Sequence, residues 1–359
     1  MLTTKGGMMH LEIYEQPASW QNAIKVYNRE RETLVWIKKN QFTQVIFIGA
    51  GASYYAAVIG SYFFRNVGRI SSHAFNSSDI YTEEIPPFDM RQRTLLVVLS
   101  RSGHTDETVW AVKFLKKIKP DIQVLSVICQ KETPLEAECC RAITMEESID
   151  DGILPIRSFS TTLFLIGLIA AAIGGNSTFL GEMSKILKKI DIKKYHDLII
   201  KMRTLQDIKR AIFCGTGMNL ALAGYGALVM QGMSLNAGQY NNSFEFRHNH
   251  YVSVNHETLA TYILSDRLIN MEVASMRDAA KMKGQILLLA ETLEPAVEAG
   301  VEYAIKINSG LPPLLRIFHY IPCLQLVAFQ TTMVKGKNPD KLKHVVDVVT
   351  YKAPPSFLA

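Results

Sequence analysis

The segment Ile46-Phe-Ile-Gly-Ala-Gly51 is echoed 166 residues later by Ile212-Phe-Cys-Gly-Thr-Gly217, and each copy is followed by a stretch of helical, apolar character. A short apolar run that ends in closely spaced glycines and passes into a helix marks a strand of a parallel sheet covered on both faces. Meeting that unit twice at domain-length spacing implies two tandem α/β domains, not a solenoid of short repeats. The length agrees, since 359 residues suit two domains of about 150 each. A hydrophobic fraction of 48 % supplies two cores and excludes wholesale disorder.

Other runs extend the pattern. Strands are expected at 44–48, 94–99, 122–129 and 141–144, then at 258–265, 285–290 and 303–307, with helical stretches at 54–65, 106–117 and 134–138 between them. Trp20 to Lys39 reads as one amphipathic helix ahead of the first strand, and an apolar helix from Thr161 onward closes the first half. The linker is expected at 174–194, where Asn176, Ser177 and a Lys-rich stretch fall. The expected division is an N-terminal helical segment 1–39, a first domain 40–180, a second domain 195–335 and a C-terminal tail 336–359.

A formal charge of +6 is modest for this length, and Lys and Arg are scattered without interleaved aromatics, so a nucleic-acid partner is not expected. The five cysteines are odd in number and none has CxxC spacing, which points to reduced thiols and to no metal site. Residues 1–9 lack the apolar core of a leader, and the apolar run 163–173 is about half of the roughly 20 residues that a membrane span needs. A cytoplasmic chain with no membrane partner is the expectation.

Two loops could hold an anion. In Gly49-Ala-Gly-Ala-Ser-Tyr54 the glycines let the chain turn tightly and bring N–H groups close to a ligand, with the next helix directing its positive end there. The third glycine of a dinucleotide fingerprint is replaced by Tyr54. In Ser100-Arg-Ser-Gly-His-Thr105, three hydroxyls, a glycine, an arginine and a helix start follow an apolar strand. Hydroxyls and helix N-terminal amides are what a phosphate monoester needs, although the same residues also cap ordinary helices. A third cluster, Arg157-Ser-Phe-Ser-Thr-Thr162, opens the long apolar helix.

Taken together, these three loops resemble those of the SIS (sugar isomerase) domain. From Glu12-Ile-Tyr-Glu-Gln-Pro17 to Asn338-Pro-Asp-Lys341 the chain resembles the double-SIS proteins. That group includes the isomerase half of glucosamine-6-phosphate synthase, the amino-sugar-phosphate deaminase/isomerases and the fructosamine-6-phosphate deglycases. The resemblance implies two flavodoxin-like parallel-sheet domains with helices on both faces, and a sugar phosphate as ligand. It implies a phosphate site of Gly51, Ser53, Ser100, Arg101, Ser102 and Thr105, with Arg157 and Ser158 from the third loop and the tail lying over the site. It also implies a homodimer in which a histidine of one subunit serves the other's sugar. The matching segment, Phe244-Glu-Phe-Arg-His-Asn249, offers His248 and Glu245 as catalytic residues, and no cofactor is called for.

The departures matter as much. The family's base is a Glu sixteen residues before the motif histidine, and that position is Gly232 here, while a family Lys three residues earlier is Val229. The family's sugar-contacting Lys lies six residues beyond the position of Lys341, where this chain has Asp347. Lys343, His344 or His250 could stand in for the missing groups. An isomerase, deaminase or deglycase of a sugar 6-phosphate or its amino derivative is therefore the first expectation. A catalytically silent phosphosugar sensor acting through a protein partner is the alternative. No Cys follows Met1, so a glutaminase half is not expected.

Overall fold

The computed structural model describes residues 4–358. The chain forms two compact units, one built from Glu15–Leu187 with the tail from Val346 onward, the other from Lys188–Val345 with the segment that ends at Tyr14.

In the first unit five parallel strands are hydrogen-bonded in the order β2-β1-β3-β4-β5: β1 Gln44–Gly49, β2 Ser71–Asn76, β3 Thr94–Leu99, β4 Gln123–Ile128 and β5 Arg141–Thr144. Every residue of β1 and β3 is buried, which is why their sequences are continuous apolar runs. The edge strand β2, Ser-Ser-His-Ala-Phe-Asn, is largely exposed or half-buried and shows no such run. The helix Arg157–Ile173 packs against the helices Gln16–Arg29 and Ala52–Asn66 with thirteen buried residues, and the buried Trp20 donates its indole N–H to Ser160 Oγ at 2.9 Å.

The second unit contains β6 Arg210–Gly215, β7 Ala237–Asn242, β8 Thr258–Ile263, β9 Gln285–Ala290 and β10 Tyr303–Lys306 in the order β10-β9-β8-β6-β7. This is the order of the first sheet read from its other edge. Its core helix, Ile317–Val334, belongs to a stretch from Pro313 that is long and apolar enough to cross a membrane by length and composition. That stretch is 83 % buried.

One expectation needs correction, and the boundaries take a different form. The stretch from Trp20 to Lys39 is two helices, Gln16–Arg29 and Arg31–Lys39, broken at Glu30, where the backbone leaves helical geometry (φ −84°, ψ 30°). The unit boundary at Leu187 and Lys188 falls inside the expected linker 174–194, which is mostly helical, with Ser177–Lys189 crossing the boundary. The N-terminal segment and the tail do not stand apart as third and fourth pieces; the two units divide each of them, at Tyr14 and at Val345.

The turn after β1 shows why glycine is needed. Gly51 has φ 57° and ψ −127°, a conformation closed to side chains with a Cβ, and a Cβ on Gly49 would stand 2.5 Å from the Ser53 carbonyl oxygen. Gly217 and Gly215 repeat both features after β6.

Candidate functional site

In the first sheet the chain runs from β1 outward to β2 and then returns past β1 to β3. The carboxyl ends of β1 and β3 therefore flank the crevice where open parallel sheets take ligands. The loops Gly49–Ser53 and Ser100–Thr105 both lie there, each leading into a helix, Ala52–Asn66 and Asp106–Ile118.

The second loop is fixed by its own main chain. Ser100 N donates to Val127 O at 3.1 Å, Cys129 N to Arg101 O at 3.0 Å, and Leu135 N to Gly103 O at 3.1 Å. Gly103 sits at φ 68°, and a Cβ there would stand 2.4 Å from Thr133 Oγ1. The nearly buried hydroxyls of Ser100 and Ser102 accept from Gly103 N and His104 N at 3.0 and 3.1 Å. Each oxygen still carries its own proton for an anion. Thr105 occupies the N-cap position of the following helix, yet its side chain makes no capping bond. Capping therefore does not explain that hydroxyl.

Ser53, Ser100, Arg101 and Ser158 line one cavity with Pro155 and Thr162, and the room inside is about 20 Å3, enough for a single water. Gly51, Ser102, Thr105 and Arg157 are not among its walls.

The third loop differs from expectation. Arg157 donates to Ile149 O at 2.8 Å and pairs with Glu15 and Asp151 at 3.0 and 2.9 Å, so its guanidinium serves the fold of the first unit. Ser158 gives its hydroxyl to the buried Asp150, whose other carboxylate oxygen accepts from the backbone N–H groups of Ile156, Arg157 and Ser158 at 2.8–3.2 Å. Asp150 thus closes the N-terminus of the long helix. Burial pushes its carboxyl above the ordinary range, while the bonds from Ser158 and the backbone, and the nearby Arg101, draw it back.

Arg101 is also engaged. Its Nη1 donates to the carbonyls of Gly152 and Ile153, and its Nη2 pairs with Asp347 in the tail. Asp347, expected at the position of a lysine in the resembled proteins, therefore pairs with the loop Ser100–Thr105 through Arg101. Lys343 and His344 are exposed.

In the second unit Glu245–Arg247 form a single 3-10 turn, and His248 N donates to Glu245 O at 2.8 Å. Glu245, His248 and His250 are all exposed, anchored by the fully buried Phe246 between them. Gly232 is half-buried in the last turn of the helix Met218–Ser234, and Val229 in the same helix is fully buried.

The loops after β6 and β8 are the second unit's counterparts of the two anion loops, and a carboxylate already occupies them. Glu272 is 0 % exposed. It accepts from Thr216 Oγ1 at 2.7 Å, Ser243 Oγ at 3.4 Å, and Ser265 N and Oγ at 2.7 and 3.0 Å.

Among the described residues no group of three or more His, Cys, Asp or Glu could hold a metal ion. All five cysteines are free, and burial pushes the Cys129 thiol, close to Arg101, up to about 12.

The family profile described as SIS domain matches residues 40–172, which contain both anion loops. Over 97 % of its length the chain is 26 % identical to a glutamine–fructose-6-phosphate aminotransferase (isomerizing) of Buchnera aphidicola and 23 % identical to that of Pyrococcus horikoshii. It spans 59 % of the length of each. Among solved structures, the C-terminal domain of the glucosamine-fructose-6-phosphate aminotransferase from Francisella tularensis shares the fold at TM-score 0.82 and 18 % identity, covering 95 % of this chain and 99 % of that one. The tagatose-6-phosphate ketose/aldose isomerase from Escherichia coli gives 0.80 at 18 %, with 97 % of each chain covered. The glucosamine-6-phosphate deaminase from Thermotoga maritima gives 0.75 at 21 %, covering 96 % and 99 %. A matched SIS domain over residues 40–172, relatives aligned along almost the whole chain and neighbours of the same architecture end to end agree that the first unit of this chain carries an SIS domain.

Proposed function

We propose that the chain binds a sugar 6-phosphate or amino-sugar 6-phosphate at the carboxyl ends of β1 and β3, and acts on it as an enzyme of the isomerase or deaminase type. The observation that carries this reading is the loop Ser100–Thr105, whose hydroxyls lie at a helix N-terminus with Ser53 on the neighbouring helix. The names of the aligned relatives and fold neighbours, all acting on hexose or hexosamine phosphates, support the same ligand class.

Moving a proton between two sugar carbons needs a base, and Gly232 cannot supply one. Glu245 and His248 are the groups we assign to that work. Both are exposed, so we place them at a neighbouring subunit's sugar in a homodimer. Without the family's carboxylate, conversion by the family's usual route is expected to be slow, since a general base contributes about 10²–10⁴ in rate. Five free cysteines, three of them buried, fit a reducing compartment such as the cytoplasm.

The test is a titration of glucose 6-phosphate and of glucose against the native chain and Ser100→Ala/Ser102→Ala. Each lost bond to a charged phosphate costs about 1.5–3 kcal/mol, so the double variant, losing two, should bind the phosphate at least about a hundredfold more weakly. A phosphate preference unchanged by the two substitutions places the site elsewhere.

A further inference from the structure

Arg101 is the charged residue in the wall of the phosphate cavity, and its guanidinium is already taken: two backbone carbonyls hold Nη1 and Asp347 holds Nη2. The tail that carries Asp347 reaches a second group that an anion would use. Val349 O accepts from Asp106 N, the first backbone N–H of the helix after the phosphate loop, at 3.3 Å. The tail is pinned again by Tyr351 N donating to Asp106 Oδ2 at 2.7 Å, and by the Tyr351 ring 5.3 Å from that of Trp110.

We propose that Asp347 is a resident anion that competes with the ligand's phosphate for Arg101, so that a phosphosugar enters by displacing the segment Asp347–Tyr351. This rests on the phosphate site proposed above. One guanidinium cannot satisfy a carboxylate and a phosphate dianion side by side without strong like-charge repulsion, so one anion must leave. The carboxylate is the weaker holder, because its side chain is 63 % exposed and solvent screens the pair. Asp347 thereby sets a threshold: a doubly charged phosphate can dislodge it, and a neutral sugar cannot. The residue acts on affinity for the anion and not on the reacting carbons.

The experiment uses the full chain with inorganic phosphate and glucose 6-phosphate as probes, titrated calorimetrically against the native protein, Asp347→Asn and Ser100→Ala. Asp347→Asn should bind both probes about 1.5- to fivefold more tightly, the span expected for removing an exposed competing charge. Saturating glucose 6-phosphate should make Trp110 more accessible to acrylamide quenching, with Trp110→Phe supplying the background from Trp20 and Trp36. Equal or weaker binding by Asp347→Asn, with binding lost in Ser100→Ala, overturns the competition and leaves the phosphate site standing. If neither substitution changes binding, the phosphate site itself is misplaced and the competition falls with it.

Discussion

Glu272 offers a sharp test of how the second unit is built. Its carboxylate has 0 % exposure and accepts three short bonds, from Thr216 Oγ1, Ser265 N and Ser265 Oγ, with Ser243 Oγ farther off at 3.4 Å. Hydroxyls can turn to find other acceptors, but the Ser265 amide cannot. Glu272→Gln keeps one carbonyl oxygen and sets an NH2 group against one pair of donors, so about 1.5–3 kcal/mol should be lost. Glu272→Ala removes every acceptor and leaves a hole, for about 3–5 kcal/mol. For a unit of this size each kcal/mol lowers Tm by about 2–4 °C, so falls of roughly 3–12 °C and 6–20 °C are expected in calorimetry. Because the seat is shaped for an anion, added phosphate should restore Glu272→Ala more than it raises the native protein. If Glu272→Ala melts with the native chain, the bonds repay no more than the cost of burying the charge, and the reasoning fails.

Two further outcomes follow from other groups. His319 is buried with its Nδ1 2.7 Å from the Tyr195 hydroxyl, and burial, with Lys189 and Lys194 adding to it, brings its pKa down to about 4. The neutral ring is the folded form, so the stability it confers is complete above about 6.5 and is lost as pH falls toward about 4. The loss totals roughly 3 kcal/mol. Urea unfolding at pH 7.5 and 4.5 should show that loss in the native chain and less of it in His319→Gln; equal losses would remove His319 as the cause. For the proposed homodimer, light scattering at micromolar concentration should give twice the chain mass, and His248→Ala should slow turnover without weakening binding of glucose 6-phosphate. A monomer at that concentration would rule out a shared site.

What the sequence reveals depends on how each element is buried. Strands β1, β3, β4, β8 and β9 are covered on both faces and stand out as apolar runs. The edge strands β2 and β7 carry Ser, His, Gln and Asn on open faces and resemble loops. The helix Ile317–Val334 is buried nearly all round, so it has no polar face to set a helical period. Loop Ser100–Thr105 is legible because its hydroxyls, glycine and helix start are contiguous. Asp150 is not: it closes a helix that begins seven residues later at Arg157, outside the position where a cap is sought. The same holds for Asp347, whose partner Arg101 lies 246 residues away.

Three of the bonds that shape the loop Ser100–Thr105 join its main chain to that of Val127, Cys129 and Leu135, while His104 Nδ1 meets Ser102 O at 2.6 Å and Arg101 Nη1 holds the carbonyls of Gly152 and Ile153. At Thr105 the form of this socket is separable from its lining. Mutation at position 105, whose side chain makes no capping bond, can retune reach or polarity while the main-chain bonds keep their shape.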